Sequence, residues 1–303
     1  MATMTTTQPA STSSLKQAII RHPLVAFFLL AFGGAWAPLL PMVLGRGEHG
    51  LGLLPVAVPD VLGLLLALLA AYAGPLLAAV LVTQATEGRE GLRQLRRRIF
   101  RWRVAPRWYL VALFAPLTIW LAAYSIVLEG LPFAELARNP MLLLTSFLPF
   151  VLFGLVMPSF GEEPGWRGFA LPRLQQRHGP LLGTLVLGLL HGIWHLPMFF
   201  TSNLGPFTAT TFTTFVLTGV AMTFIYTWVF NKTGGSVLLA ILLHATGNAA
   251  AGLMNELVAP ALPLDGLLGT LDKGGWIGAI AFGVVALVLV TMTRGRLGYR
   301  QAT

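Results

Sequence analysis

Apolar residues fall into eight runs, near residues 23–44, 60–83, 108–128, 141–160, 181–200, 211–230, 235–254 and 274–293, separated by short polar stretches. A bilayer's hydrocarbon core is about 30 Å thick, and about 20 residues of helix at 1.5 Å per residue cross it. Backbone N–H and C=O groups in lipid must be satisfied within the segment, so runs of this length predict helices. The pattern predicts an all-α, polytopic membrane protein of about eight transmembrane helices. Residues 1–15 are rich in Ser, Thr and Ala and show no periodicity. They extend a predicted disordered cytoplasmic tail over 1–20, followed by a single transmembrane domain over 21–300. Ala35 and Ala37 mimic a signal-peptidase site, but the first run is long and its leader is long and polar, so it is read as a retained anchor.

Composition supports a lipid solvent. Of the 303 residues, 55% are hydrophobic and 10% charged, where soluble domains carry roughly 25% charged residues. The net charge of +9 is sorted by side rather than spread over a face. Counting gaps alternately, seventeen of the twenty Lys and Arg fall on one side, eight of them in the Arg89–Arg107 loop, and only Arg46, Arg138 and Lys273 on the other. The positive-inside rule then puts both termini in the cytoplasm of a cell with this protein in its plasma membrane. The loop reads as a cytoplasmic interfacial helix against anionic lipid, not as a nucleic-acid footprint. Trp102, Trp108 and Trp276 fall near span ends, where amphipathic rings favour the interface. There are no cysteines, which excludes disulfides, thiolate ligands and a cysteine nucleophile.

The chemistry lies in the few polar groups at or inside apolar runs, where a central charge costs about 2.5–3.5 kcal/mol on insertion scales. The first cluster is Gly161-Glu162-Glu163-Pro164-Gly165-Trp166-Arg167-Gly168, at the end of the fourth run. On a helix Glu163 and Arg167 are i,i+4 partners, while Glu162 points about 100° away. A desolvated carboxylate without a cation can act as a general base. Pro164 and Gly165 open the alternative of a kink that spoils the pairing. The second cluster is His191-Gly192-Ile193-Trp194-His195-Leu196-Pro197; its histidines share a helical face at a metal-chelating spacing, although membrane histidines also serve as helix–helix hydrogen-bond residues. The third is His244-Ala245-Thr246-Gly247-Asn248, either an imidazole–carboxamide pair for an oxyanion or polar glue between helices. His22, His49 and His178 read as bystanders. HExxH, GxSxG and Walker motifs do not occur.

Taken in order, these clusters resemble the type II CAAX prenyl proteases and bacteriocin-processing or immunity proteins, the CPBP or Abi family, whose pattern is EExxxR, FxxxH and HxxxN on successive membrane helices. Glu162-Glu163-x-x-x-Arg167 and His244-x-x-x-Asn248 match in full. His195 matches the second motif, with His191 standing where that motif has Phe. The resemblance covers residues 140–255 and implies a conical helix bundle with an intramembrane cavity and a catalytic core in that stretch. It implies an intramembrane endopeptidase in which Glu162 and His195 activate water, His244 and Asn248 stabilise the oxyanion, and Arg167 holds Glu163. The implied substrate is a membrane-embedded or lipid-anchored peptide. Two other readings are a proton-coupled transporter and a non-catalytic immunity-type protein. For cofactors, a metal-free mechanism with His191 orienting His195 is favoured. The alternative is a divalent metal such as zinc, with Glu162, His195, His244 and His191 as candidate ligands.

Overall fold

The computed structural model describes residues 14–47, 50–201, 204, 207–258 and 275–300. Among these every regular element is a helix, in the order α1 (Ser14–Arg21), α2 (Pro23–Leu44), α3 (Asp60–Ile99), α4 (Pro106–Val127), α5 (Leu131–Arg138), α6 (Leu143–Phe200), α7 (Ala209–Lys232), α8 (Val237–Val258) and α9 (Trp276–Met292). Six of these (α2, α3, α4, α6, α7 and α8) are long and apolar enough to cross a bilayer, and α9 is a shorter apolar helix. The protein is an all-α integral membrane bundle. Residues 1–13 of the predicted tail, with His49 and Lys273, lie outside the described residues, and the end of the tail stretch forms α1.

Two predicted spans fall inside α6. Its 58 residues would make a straight rod of about 87 Å, nearly three bilayer cores, so the chain has to fold back. It does so at Gly179, whose φ of 77° and ψ of 168° are open to glycine and strained for other residues. Two arms result, 143–178 and 180–194. Arg167 and His191 would stand about 36 Å apart along a straight helix, yet lie 3.3 Å apart across the fold. The expected end of the fourth span at residue 160 lies close to a kink at Met157 (φ −133°, ψ 124°), beyond which the first arm resumes as helix and runs on to the Gly179 break. Hydropathy failed there because residues 161–171 are buried against protein, where charge is tolerated if it is paired.

The glycines of the first cluster seat this arm rather than break it. A Cβ on Gly161 would stand 3.0 Å from the Ala71 carbonyl, and one on Gly165 would stand 2.4 Å from the Pro75 carbonyl oxygen. The i,i+4 pair thus lets the backbone of the first arm lie directly on α3, as small-xxx-small faces do in membranes. Pro164 is absorbed by a widened π-helical stretch, Pro164–Ala170, a form common at functional sites. The helix axis therefore carries through, and Arg167 stays on the Glu163 face.

α8 is the central helix, buried over most of its length, and it packs against α4 and the first arm of α6. α7 packs between the second arm of α6 and α9. α3 bends at Gly88, so that the arginine-rich segment continues as helix to Ile99 at an angle to the span. Trp102 is exposed, whereas Trp108 is buried edge-to-face on Trp228 with ring centroids 5.0 Å apart, so its burial is in the core and not at an interface.

Candidate active site

Three helical segments bring the candidate residues together. The first arm of α6 supplies Glu162, Glu163 and Arg167, the second arm supplies His191 and His195, and α8 supplies His244. Glu162, Glu163 and Arg167 are each at most 2% exposed, so their charges must be answered inside the protein.

Arg167 answers Glu163. Its Nη1 donates to Glu163 Oε1 at 2.9 Å, as the i,i+4 spacing predicts. Its Nη2 donates to Thr223 Oγ1 at 3.0 Å, and the guanidinium lies over the Tyr226 ring, 4.7 Å from the centroid. His244 Nδ1 approaches the same Glu163 oxygen at 2.9 Å. A carboxylate only accepts, so His244 donates from Nδ1 and its Nε2 faces elsewhere.

Glu162 is answered by a residue that sequence reasoning had placed in a different role. His191 Nε2 lies 2.9 Å from Glu162 Oε2, and His191 Nδ1 lies 3.3 Å from Arg167 Nη1. The arginine fixes the tautomer. A guanidinium can only donate, so Nδ1 of His191 must accept, and in a neutral ring the proton then sits on Nε2 and is donated to Glu162. Arg167, His191 and Glu162 form one directed chain. The signal that could have found it was the His191–His195 spacing together with the departure from Phe at that position.

His195, one turn on, is half-buried. Its Nδ1 donates to the His191 carbonyl oxygen at 2.9 Å, which leaves the Nε2 lone pair unused by that bond. The helix end carrying it is held from α2, a helix without a motif. Trp36 Nε1 donates to the Trp194 carbonyl at 2.9 Å, and Trp194 Nε1 donates back to the Ala31 carbonyl at 3.1 Å. The ring of His195 packs edge-to-face on Trp194 and Phe215.

Glu162, His191 and His195 offer nitrogen and oxygen atoms that all lie within 4.8 Å of one another, a grouping able to hold a metal ion. His244, expected among the ligands, is not part of it and is turned to Glu163 instead. Asn248 lies one turn beyond His244 on α8 and is exposed, with no hydrogen bond to the cluster. His22 and His178 are exposed.

The type II CAAX prenyl endopeptidase Rce1-like family matches residues 144–250, the stretch from the start of the first arm of α6 to just past Asn248. The match covers 107 of the chain's 303 residues. The chain is also similar to CAAX prenyl protease 2 of Methanococcus maripaludis, 33% identical over 105 residues, which make up 33% of this chain. It spans only 38% of the length of that curated relative. All seven candidate residues lie inside the segment that matches the endopeptidase family, whereas the Trp36 latch lies outside it.

Proposed function

We propose that the protein is an intramembrane endopeptidase that hydrolyses a peptide bond of a membrane-associated substrate with water activated by Glu162 and His195. The observation that carries this reading is the convergence of two acceptors. A Glu162 oxygen and a ring nitrogen of His195 belong to a group of atoms within 4.8 Å of one another, a gap that one water bridges with two hydrogen bonds of about 2.8 Å. Such a water donates to both groups and keeps an oxygen lone pair for a carbonyl carbon. Attack forms the C–O bond as Glu162 takes the proton, and collapse breaks the C–N bond as Glu162 returns the proton to the leaving amine. His191 orients the carboxylate through Oε2. His244, in its imidazolium form, donates from Nε2 to the oxyanion, and the Asn248 carboxamide one turn on provides a second donor.

The cluster also fits a metal only in part. A catalytic zinc takes three protein ligands and an open position. Here the Nε2 proton of His191 is fixed by Arg167, so this ring has no lone pair for a metal at Nε2, and a metal at Nδ1 would sit against a guanidinium. With Glu162 and His195 remaining, the donor set is one short. We therefore read the reaction as metal-free. A bound divalent metal would supply Lewis-acid activation of water held by Glu162 and His195. The transporter reading is weakened by the same chain: it starts at Arg167, which does not release protons and so does not connect Glu162 to Glu163 for proton transfer.

The seventeen-to-three sorting of basic residues supports both termini on the cytoplasmic side of the plasma membrane. The name of the Methanococcus maripaludis relative, a CAAX prenyl protease, suggests a prenylated, lipid-anchored substrate, and the Arg89–Arg107 segment suits contact with anionic lipid. The test is cleavage of lipid-anchored peptides by the protein in liposomes. Wild-type protein should release a fragment and Glu162→Gln should release none while melting at the same temperature. An active Glu162→Gln protein would remove the mechanism.

A further inference from the structure

The face of the bundle where α3 and α7 end carries a hollow unrelated to the glutamate–histidine cluster. It measures about 570 Å³ and gathers three cations, Arg98, Lys232 and Arg300, with no carboxylate among its described lining residues. The guanidinium of Arg101 adds a fourth at the rim, 3.2 Å from where a Cβ on Gly234 would stand. An adjoining hollow shares Gln175, Gln176, Tyr299 and Arg300 and brings Arg296. The carboxylates on this face are engaged elsewhere, Glu87 with Arg173 and Glu90 with Arg93.

The hollow is built, not a surface accident. Gln175 on the first arm of α6 and Asn231 on α7 exchange both amide hydrogen bonds, at 3.2 and 2.8 Å. Asn231 Nδ2 also donates to the Leu297 carbonyl at 3.1 Å, and Leu297 is fully buried. These bonds dock residues 296–300 against the bundle and fix the wall that presents Arg300. The positive-inside rule asks for cations on one side of a membrane, not for their convergence on one cavity. Lys232 complements the C-terminal dipole of α7, but Arg98, Arg101 and Arg300 arrive from other segments. Like charges gathered in a concave space raise each other's energy unless an anion joins them.

We infer that this hollow binds a phosphate ester, supplied by the headgroup of an anionic phospholipid in the leaflet that the basic residues face. Arginine forks and an ammonium, backed by the Gln175–Asn231 amide pair, match phosphate oxygens. α3 and α7 are long and apolar enough to cross a bilayer, so a hollow at their ends suits the headgroup layer. The site is independent of the proposed peptidase activity, and its test needs no substrate.

The experiment titrates detergent-solubilised full-length protein with phosphatidylglycerol, phosphatidylcholine or inorganic phosphate, reading bound lipid by native mass spectrometry and phosphate by melting temperature. Lys232→Gln/Arg300→Gln removes two cations from the hollow. Arg96→Gln/Arg97→Gln removes two exposed cations of the same face outside it and serves as the charge-matched control. Wild-type protein should retain one phosphatidylglycerol saturably and no phosphatidylcholine. The hollow variant should bind it about thirtyfold more weakly, at about fivefold per interfacial cation, and the control should bind as wild type. Stabilisation by inorganic phosphate, lost in the hollow variant, without retained phosphatidylglycerol would keep the anion site and assign it to a soluble phosphate ester. Equal loss in both variants, or loss in neither, would overturn the proposal.

Discussion

Replacing His191 with Phe separates a hydrogen-bonded glutamate from a metal centre. The substitution removes the 2.9 Å bond from His191 Nε2 to Glu162 Oε2 and the 3.3 Å contact with Arg167. It keeps an aromatic ring among Trp166, Trp194 and His195, whose centroids lie 5.0, 6.3 and 5.1 Å from that of His191. Arg167 retains Glu163 and Thr223, so the fold should hold. A hydrogen bond to a charged group contributes about 1.5–3 kcal/mol, which corresponds to a fall of roughly tenfold to hundredfold in kcat/KM. The assay is cleavage of a lipid-anchored peptide in liposomes, with detergent melting temperature and metal content measured on the same preparation. Residual, chelator-resistant turnover within that range is the expected result. Complete inactivation accompanied by loss of a bound metal would refute the reasoning and make His191 a ligand. An unchanged rate would show that this bond does not act on the reacting carboxylate.

Three other outcomes follow from the same geometry. Arg167→Met should lower stability by about 3–5 kcal/mol in a detergent melt, because it breaks the buried pair with Glu163 and leaves His244 as the remaining partner of that carboxylate; a fold as stable as wild type would mean that Glu163 does not depend on the guanidinium. Gly165→Ala should cost about 1–3 kcal/mol, since its Cβ would meet a backbone carbonyl 2.4 Å away; a neutral effect in the same melt would mean that the first arm of α6 does not lie directly on α3. Reporter fusions at 95, 175 and 300 should read cytoplasmic, and those at 50, 135 and 205 should read external; two reversed sites would sink the proposed orientation.

The sequence made legible what hydropathy and local spacing can carry. Long apolar runs marked the spans, and the i,i+4 rule paired Glu163 with Arg167. Hydropathy misjudged residues 161–178 because it reports exposure to lipid, and this stretch is polar yet mostly buried in protein. Gly165 read as a kink because its close approach to Pro75 is visible only once α3 is beside it. The partner of Glu162 was not legible, since His191 and His195 share a helical face and only the fold at Gly179 decides which ring reaches the first arm. His191 was expected to orient His195; its backbone carbonyl does so, while its imidazole serves Glu162. The Trp36–Trp194 latch lies across 158 residues of sequence and left no local signature. Asn248 kept the helical phase expected relative to His244, but local phase carries no information on exposure.

The central claim, that Glu162 and His195 activate water without a metal, is tested most directly on one sample of untagged protein. The protein is stripped with a strong chelator, and metal per chain and peptide cleavage are then measured together. The account predicts full cleavage at well below one metal per chain. Cleavage lost on stripping and restored by zinc would contradict it.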